Sequence, residues 1–257
     1  AADLGSPVEF PEDGLPILKN HLLAERSDLG LVRLVDPAQG RRMSDRLAAV
    51  AEFAAQVGGE LPVLGWVEGP LAEAADLRGV SELMTDLYDD PEWVLELLEL
   101  TLQQATAFAM DQVEAGADII GVGDAIASQI SPRMYRRYAL PFEQRLIAAI
   151  HECGARARLH ICGDTSKLLT DAATSGADII DVDWMVPFAD AAAAFDGLGT
   201  CGNFDPVRVM LQGTPDDVFA ATAACRAMGG PRFISMAGCE IPDGTPAANL
   251  HAQRRAL

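Results

Sequence analysis

The chain has 257 residues, of which 49% are hydrophobic, 38 are acidic and 19 are basic, so its formal net charge is −19. A chain of this length and apolar content can bury a large core, and it lies within the size range of one α/β barrel. The negative charge repels nucleic acid and anionic membrane surfaces, which argues against both as partners. We therefore expect a single domain over residues 1–257 with its acidic excess on a solvated surface.

The cysteines do not follow the pattern of a disulfide framework. There are five of them, an odd number, in a long aliphatic chain, whereas disulfide-stapled folds are short and rich in loops. We find no basic segment followed by an apolar run at the start, and no uninterrupted apolar stretch of the roughly 18 to 20 residues that a spanning helix needs. We expect a cytoplasmic protein in a reducing compartment.

The first half of the chain predicts an irregular start followed by alternating helices and strands. Residues 1–40 are rich in proline and glycine, with one short strand at 6–10. Apolar residues recur at helical spacing over 44–57, and the next strand, bounded by glycine and proline, ends at Glu68. A long helix then begins after Asp90, which is placed to cap it, and runs to near Gly116.

The second half repeats one junction between a helix and a strand. The segment EAGADIIGVGD at 114–124 recurs as TSGADIIDVDW at 174–184, in each case a glycine-capped helix end followed directly by a buried strand. A helix from Ser131 to about Cys153 and the segment RLHICGD lie between the two copies. Strands in LGTCGN and PRFISMAG continue the alternation, which predicts a parallel sheet.

We predict that this sheet belongs to a TIM-type (β/α)8 barrel and not to a doubly wound fold. No GxGxxG motif follows the first strand, and polar residues recur at the carboxyl ends of successive strands, where such barrels build their sites. About six strands are recognisable, whereas closure needs eight. Either two strands escape recognition, or the chain lacks the N-terminal one or two βα units. These strand-end residues are Glu68, Asp124, His160, Cys162, Asp183, Asn203 and Cys239.

The segment RLHICGD carries half of a candidate metal site. A short strand here would place His160 and Cys162 side by side on one face. Cys239, at the end of the strand in PRFISMAG, is the best candidate for a third ligand. One histidine and two cysteines without a fourth protein ligand fit a catalytic zinc site. The alternative is a buried core histidine with two cysteines that act as small hydrophobic residues.

The other three cysteines compete less well for the metal. Cys153 and Cys225 lie on predicted helices at spacings typical of packing. Cys201 also ends a strand, in LGTCGN, and is the closer rival, but we expect it to fill the interior. Two cysteine thiolates neutralise Zn²⁺, so bound water is only moderately acidified, while a bound thiol is deprotonated and stays electron-rich. Such a site suits alkyl transfer to sulfur better than hydrolysis.

Carboxylates at the strand ends are candidates for supporting roles. We assign Asp124, Asp183 and Glu240 as catalytic candidates, and Glu68 and Asn203 as substrate-binding candidates. A carboxylate beside zinc can be a displaceable fourth ligand, a partner that fixes the histidine tautomer, or a proton acceptor. For each of them the alternative is an acid at the barrel rim that accepts hydrogen bonds from nearby backbone amides; this alternative is the one we favour for Asp181.

Four segments carry a family resemblance: LHICGDTSKLL, GADIIDVDW, GNFDPVRVMLQGTPDDV and GCEIPDGTPAANL. Together they resemble the uroporphyrinogen decarboxylase superfamily and, within it, the methylcobamide:coenzyme M methyltransferase branch. The similarity runs from the first residues to about Asn249. The resemblance implies an α/β barrel whose family members carry a further N-terminal region with the first strands. It also implies zinc on His160, Cys162 and Cys239, activating a thiol that takes a methyl group from a methylated corrinoid protein.

Several functions stay open at this point. The acceptor is coenzyme M, another thiol or a folate, and the donor is methylcobalamin on a partner protein. The chain could instead transfer methyl from a donor to the corrinoid, or decarboxylate a porphyrinogen without metal by means of acids such as Asp124. A third class is a barrel that binds a corrinoid partner without turnover. The oligomeric state also stays open, with a homo-oligomer among the alternatives.

Overall fold

A parallel sheet lies at the centre of the fold in the computed structural model, which describes residues 1–12 and 16–257. Within those residues the sheet has six strands, each hydrogen-bonded to the next in sequential order. The strands are β3 (Leu64–Glu68), β4 (Ile119–Gly123), β5 (Arg156–His160), β6 (Ile179–Asp181), β7 (Gly199–Phe204) and β8 (Phe233–Ala237). Sequential parallel order with helical connections is the pattern of an α/β barrel wall.

Helices connect these strands and cover the outer face of the sheet. The helices are α1 (Arg41–Val57), α2 (Pro70–Arg78), α3 (Val80–Asp89), α4 (Pro91–Glu114), α5 (Pro132–Tyr138), α6 (Leu140–Glu152), α7 (Leu169–Ala172), α8 (Phe188–Ala194), α9 (Pro215–Gly229) and α10 (Ala247–Arg255). The long helix α4 packs against α2, α6 and β3. A hairpin of β1 (Val8–Glu9) and β2 (Ile17–Leu18) precedes the sheet.

Local sequence signals begin several of these helices as predicted. The carboxylate of Asp90 accepts a hydrogen bond from the backbone amide of Trp93, and Pro91 occupies the first turn of α4. Ser131 caps α5 in the same way, with Pro132 following it. Each cap satisfies an amide that the first turn leaves without a helical partner. The bounds of α4 therefore agree with the sequence prediction at its start.

Some predicted elements differ from the observed ones. The single helix predicted from Ser131 to Cys153 is divided at Ala139 into two helices, α5 and α6. Pro141 has no amide hydrogen to donate to the preceding turn, so the chain starts a new helix there. Two helices, α2 and α3, were not predicted; α2 is buried on nearly every side and shows almost no amphipathic period. The predicted strand at 6–10 is shortened to the two residues of β1.

The strand in RLHICGD was predicted to extend through Cys162, which is wrong. β5 ends at His160, and Cys162 lies in the segment that follows it. Gly163 comes next with φ of 91°, a left-handed conformation that glycine adopts without strain. The chain therefore turns directly after Cys162, and this turn, not a strand face, determines the direction of its thiol.

Strand register places a set of side chains on the inner face of the sheet. Glu68 pairs with Gly123, Gly123 with His160, His160 with Asp181, and Asp181 with Cys201. Paired residues of parallel strands point to the same face, so these residues form one layer across the sheet. The layer is formed by the last residues of β3, β4, β5 and β6, and by Cys201 in the middle of β7. Among the described helices, none has the length and apolar character needed to cross a membrane.

Candidate metal centre

Three potential metal ligands converge at the carboxyl ends of β5 and β8. His160 is the last residue of β5, Cys162 follows it, and Cys239 comes two residues after the end of β8. The Nε2 atom of His160 lies 2.9 Å from Cys162 Sγ and 4.0 Å from Cys239 Sγ. The two sulfur atoms are 3.6 Å apart. The predicted metal ligands are therefore neighbours, although 77 residues of chain separate the cysteines.

These separations fit a tetrahedral zinc ion. With Zn–S near 2.3 Å and Zn–N near 2.05 Å, tetrahedral angles require about 3.8 Å between two sulfurs and about 3.6 Å between nitrogen and sulfur. The sulfur–sulfur distance of 3.6 Å and the Cys239–His160 distance of 4.0 Å lie near these values. The Cys162–His160 distance of 2.9 Å is a hydrogen-bond contact and would lengthen on metal binding. All three donor atoms lie within 4.8 Å of one another. The donor set fits zinc by chemical type as well, because imidazole and thiolate are its preferred ligands. One coordination position is left for water or substrate.

Asp181 orients the imidazole from behind. Its Oδ2 atom accepts a hydrogen bond from His160 Nδ1 at 3.0 Å, and its Oδ1 atom accepts from Arg158 Nε at 2.7 Å. Burial alone raises the pKa of Asp181, but the hydrogen bonds from His160 and Arg158 outweigh burial and hold it below the usual range. The ionised carboxylate keeps the proton on Nδ1, so Nε2 faces the sulfurs. The interpretation of Asp181 as a rim acid bonded to backbone amides is therefore wrong, because its carboxylate accepts from the side chains of His160 and Arg158.

The metal-free donor set is built to hold positive charge. Burial lowers the pKa of His160, yet the hydrogen bonds to Asp181, Cys162 and Cys239 raise it well above its usual value. The hydrogen bond with His160 lowers the pKa of the Cys239 thiol, and the backbone amide of Glu240 acts in the same direction. In the metal-free protein, the proton on His160 Nε2 thus occupies the place that a metal cation would take between these donor atoms. Zinc would displace that proton and bind the same atoms.

Trp66 forms a wall of the site next to His160. Its ring centroid lies 6.1 Å from that of His160, with 57° between the planes. The indole covers the inner face of β4, where a Cβ atom at Gly121 would approach Trp66 Cε3 to 2.3 Å and one at Gly123 would approach Cζ2 to 2.6 Å. Only glycine leaves room for the ring at these positions. The sequence GVG in β4 therefore places an aromatic surface beside the donor set.

Glu68 lies on the same wall and forms part of a neighbouring cavity. Its Oε1 atom accepts a hydrogen bond from Trp66 Nε1 at 3.3 Å. The surrounding protein atoms desolvate this carboxyl and raise its pKa to about 7, and the negative charges of Glu73 and Asp76 act in the same direction. Trp66 and Glu68 line a cavity of about 430 Å³ beside β3. The predicted substrate-binding residue Glu68 is thus near the site and titrates near neutrality.

Asp124 is enclosed by protein, and its carboxylate contacts backbone amides instead of pointing toward the three donor atoms. It is fully buried, and its Oδ1 atom accepts from the amide of Ala72, in the first turn of α2, at 2.8 Å. Because Gly69 at the N-cap has no side chain, Asp124 provides the cap from another element. The assignment of Asp124 as a catalytic acid stays a prediction without support from its contacts.

A second buried acid, Glu143, was not among the predicted residues. Burial raises the pKa of both Glu143 and Asp124, and the charge of Asp124 raises the pKa of Glu143 further. Asp124 Oδ2 and Glu143 Oε1 are buried and have no hydrogen-bond partner among the described residues. The hydroxyl of Tyr135 donates to the other oxygen of Glu143.

Asp183 and Asn203 stabilise the loops that carry the site. Asp183 accepts from the amide of Gly163 at 2.9 Å and from that of Met185 at 3.0 Å, so it fixes the turn after Cys162. Asn203 Nδ2 donates to the carbonyl oxygens of Asp183 and Val186. Both amide hydrogens of Asn203 are thereby used within the protein. Its predicted role as a substrate donor has no support in these contacts, and the catalytic role of Asp183 stays a prediction.

The remaining predicted residues differ in exposure. Glu240 has an exposed side chain, and its backbone amide is the group that contacts Cys239. Cys201 is fully buried, and burial raises the pKa of its thiol. Cys225 is buried as well, and Cys153 ends α6. Of the five cysteines, only Cys162 and Cys239 belong to the group of converging donors.

Comparison with known proteins gives the family. The model of the uroporphyrinogen decarboxylase (URO-D) family matches residues 1–257. The chain belongs to the uroporphyrinogen decarboxylase family. This result confirms the resemblance read from the four sequence segments.

Curated members of this family include methyltransferases and decarboxylases. The chain is 32% identical over 237 residues to the methylcobamide:CoM methyltransferase MtbA of Methanosarcina mazei, covering 91% of this chain and 69% of that protein. It is 31% identical over 229 residues to MtaA of Methanosarcina barkeri, covering 84% and 64%. A uroporphyrinogen decarboxylase of a Synechococcus strain is 24% identical over 256 residues, covering 96% and 69%.

Solved structures confirm the barrel fold of this family member. A methyltransferase from Methanosarcina mazei superposes with a TM-score of 0.91 at 24% identity, covering 99% of this chain and 75% of that one. A B12-independent methionine synthase from Shewanella superposes with a TM-score of 0.63 at 14% identity, covering 82% and 63%. The predicted TIM-type barrel is therefore confirmed, with six of its strands described here.

Proposed function

We propose that this chain is a zinc-dependent methyltransferase that moves a methyl group between a corrinoid and a thiol. The observation that carries the proposal is the convergence of His160 Nε2, Cys162 Sγ and Cys239 Sγ within 4.8 Å of one another, a donor set of the type that zinc prefers. The names of the two Methanosarcina relatives support it, because both are methylcobamide:CoM methyltransferases. A corrinoid protein and a small thiol or folate acceptor are the partners that this activity requires.

Zinc on these three residues would bind the acceptor thiol as a thiolate and keep it nucleophilic. The protein contributes the charge balance, since Cys162 and Cys239 offset the charge of the metal. Asp181 holds His160 in the tautomer that presents Nε2. Trp66 covers one side of the donor set and limits the approach of water from that side.

The carboxylates have distinct roles in this proposal. Asp183 keeps the turn at Gly163 in place and so holds Cys162. Glu68, which accepts a hydrogen bond from Trp66 beside the donor set, has a pKa of about 7 and can accept the proton that the incoming thiol releases. Glu240 follows Cys239 in the chain and has an exposed side chain. Asp124 acts indirectly, by capping α2 behind the strand ends.

Methyl transfer from free methylcobalamin tests the proposal. Purified protein is incubated with methylcobalamin and a panel of acceptors: coenzyme M, other small thiols and tetrahydrofolate. Loss of the methyl–cobalt bond is followed by the change in the corrinoid spectrum, and the methylated product by mass spectrometry. The assay is repeated after removal of zinc with a chelator and after its return.

The expected result is methyl transfer to at least one thiol that stops without zinc and returns with it. Cys239→Ser is expected to abolish the reaction and Cys153→Ser to leave it unchanged, because Cys153 lies outside the donor group. Decarboxylation of a porphyrinogen that the chelator leaves undiminished would contradict the proposal in favour of the decarboxylase alternative. Corrinoid binding without any turnover would favour a binding barrel.

A further inference from the structure

Arg158 lies on the inner face of the sheet, one layer below the donor set. It precedes His160 by two residues on β5, so both side chains point to the same face. Register places Arg158 in line with Gly121 and Ile179 on the neighbouring strands. Its side chain is 21% exposed, which leaves the guanidinium mostly enclosed by protein. A charge in this position needs partners.

The guanidinium of Arg158 contacts two strands besides its own. Its Nε donates to Asp181 Oδ1 on β6 at 2.7 Å, and its Nη2 contacts the sulfur of Met236 on β8. β6 and β7 separate β5 from β8 in the sheet. The side chain therefore crosses the interior of the barrel instead of following the sheet to its next neighbour.

The two contacts reach both parts of the donor set. Asp181 holds the imidazole of His160, and Met236 precedes Cys239 by three residues on the strand that leads to it. In the described part of the chain, β8 pairs with β7 alone, and β7 is two strands away from β5. The contacts of Arg158 across the interior thus restrain the distance between His160 and Cys239 more directly than the strand pairing through β6 and β7 does.

We propose that Arg158 is a positioning residue that fixes the separation between the two parts of the donor set, His160 with Cys162 and Cys239. This inference rests on the proposed function, because it assumes that the donors bind zinc. Arginine suits the position, since its planar group donates in several directions at once, whereas the lysine ammonium is a compact charge on a flexible chain. Lysine can pair with Asp181 but cannot also reach Met236 in the same geometry.

Zinc affinity of designed variants tests this role. Arg158→Met removes the charge, and Arg158→Lys keeps the charge but not the planar guanidinium with its several N–H donors. Met236→Leu keeps the side-chain volume without the sulfur. Arg156→Met is the matched control, because Arg156 lies on the same strand with an exposed side chain paired to Asp178, away from the donors. Affinity is measured by competition with a chelator, and ligand geometry by the visible spectrum of the cobalt-substituted protein.

The proposal predicts that Arg158→Met and Arg158→Lys both weaken zinc binding by about 10- to 100-fold and alter the cobalt spectrum. Met236→Leu is expected to change affinity in the same direction by a smaller factor, and Arg156→Met to leave it unchanged. Wild-type affinity and spectrum in Arg158→Lys would overturn the proposal, since charge alone would then be sufficient. If Arg158→Met fails to fold, Arg158→Lys and Met236→Leu still decide the question.

These results separate the two proposals. Wild-type protein that binds no zinc contradicts the proposed function. Wild-type protein that binds zinc and variants that bind it equally well contradict only the role of Arg158.

Discussion

Asp181 and His160 are in-register neighbours on β6 and β5, and the carboxylate of Asp181 accepts a hydrogen bond from His160 Nδ1 at 3.0 Å. The register makes this contact, because paired residues of parallel strands present their side chains to the same face. Asp181 therefore fixes both the tautomer and the ring orientation of a proposed zinc ligand. The pairing of β5 with β6 thus determines the orientation of His160 in the candidate metal site.

Removal of the Asp181 carboxylate is expected to weaken zinc binding. Asp181→Ala loses the acceptor that holds His160 Nδ1, and partners of this kind contribute roughly 10- to 100-fold to metal affinity. Asp181→Asn keeps an acceptor oxygen but no charge, so its loss is expected to be smaller. Chelator competition measures both, with Asp196→Asn, at an exposed aspartate, as control. Equal affinity in wild type and Asp181→Ala would show that the contact does not support the metal.

The glycine at position 121 is expected to be required for the position of Trp66. In Gly121→Ala the new Cβ would approach the indole to 2.3 Å, so the ring must move, and overpacking of this kind costs about 1 to 3 kcal/mol. Thermal or denaturant unfolding measures the loss. The double variant Gly121→Ala with Trp66→Ala is expected to recover part of it, because the clash disappears.

Gly30→Ala is the matched control for this prediction, because a Cβ at Gly30 has nothing within 4 Å. It is expected to leave the free energy of unfolding nearly unchanged. Equal stability of Gly121→Ala and wild type would mean that the indole does not occupy the face of β4.

Glu68 is expected to make stability depend on pH near neutrality. Its pKa rises from 4.5 to about 7 on folding, so between these values the folded state binds more protons than the unfolded state. Stability therefore falls as pH rises through this range. Glu68→Gln removes the effect, and its stability relative to wild type should increase between pH 4.5 and 7 and stay constant above. Because the side chain remains accessible to solvent, screening limits the gain to the order of 1 kcal/mol.

Denaturant unfolding of metal-free protein at several pH values measures this difference, with the exposed Glu60→Gln as control. A constant difference between Glu68→Gln and wild type from pH 4.5 to 8 would contradict the raised pKa.

The sequence was sufficient to predict which histidine and cysteines converge, because their residue types and spacing are visible in the sequence itself. His160 and Cys162 are two residues apart, and Cys239 follows a recognisable strand, so barrel topology alone brings them together. The six strands were also recognisable from their apolar runs and glycine boundaries. Helix α2 escaped prediction because it is buried on nearly all sides and shows no helical period. Helix α3 does have an amphipathic period, and this signal was missed.

The supporting residues depend on three-dimensional register and could not be ranked from the sequence. Asp181 was a strand-end acid like the others until the pairing of β5 with β6 set it beside His160. Asp124 looked equally suitable, but it caps a helix that was not predicted. Trp66 gave one usable signal, the glycines at both ends of GVG in β4, which indicate that a bulky group approaches that strand closely.

The most direct test of the central claim is zinc K-edge X-ray absorption of the zinc-loaded protein before and after addition of the acceptor thiol. We predict one nitrogen and two sulfur ligands from His160, Cys162 and Cys239, and one additional sulfur ligand when the thiol binds. An unchanged sulfur count in the presence of a thiol that accepts the methyl group would contradict activation of the acceptor by zinc.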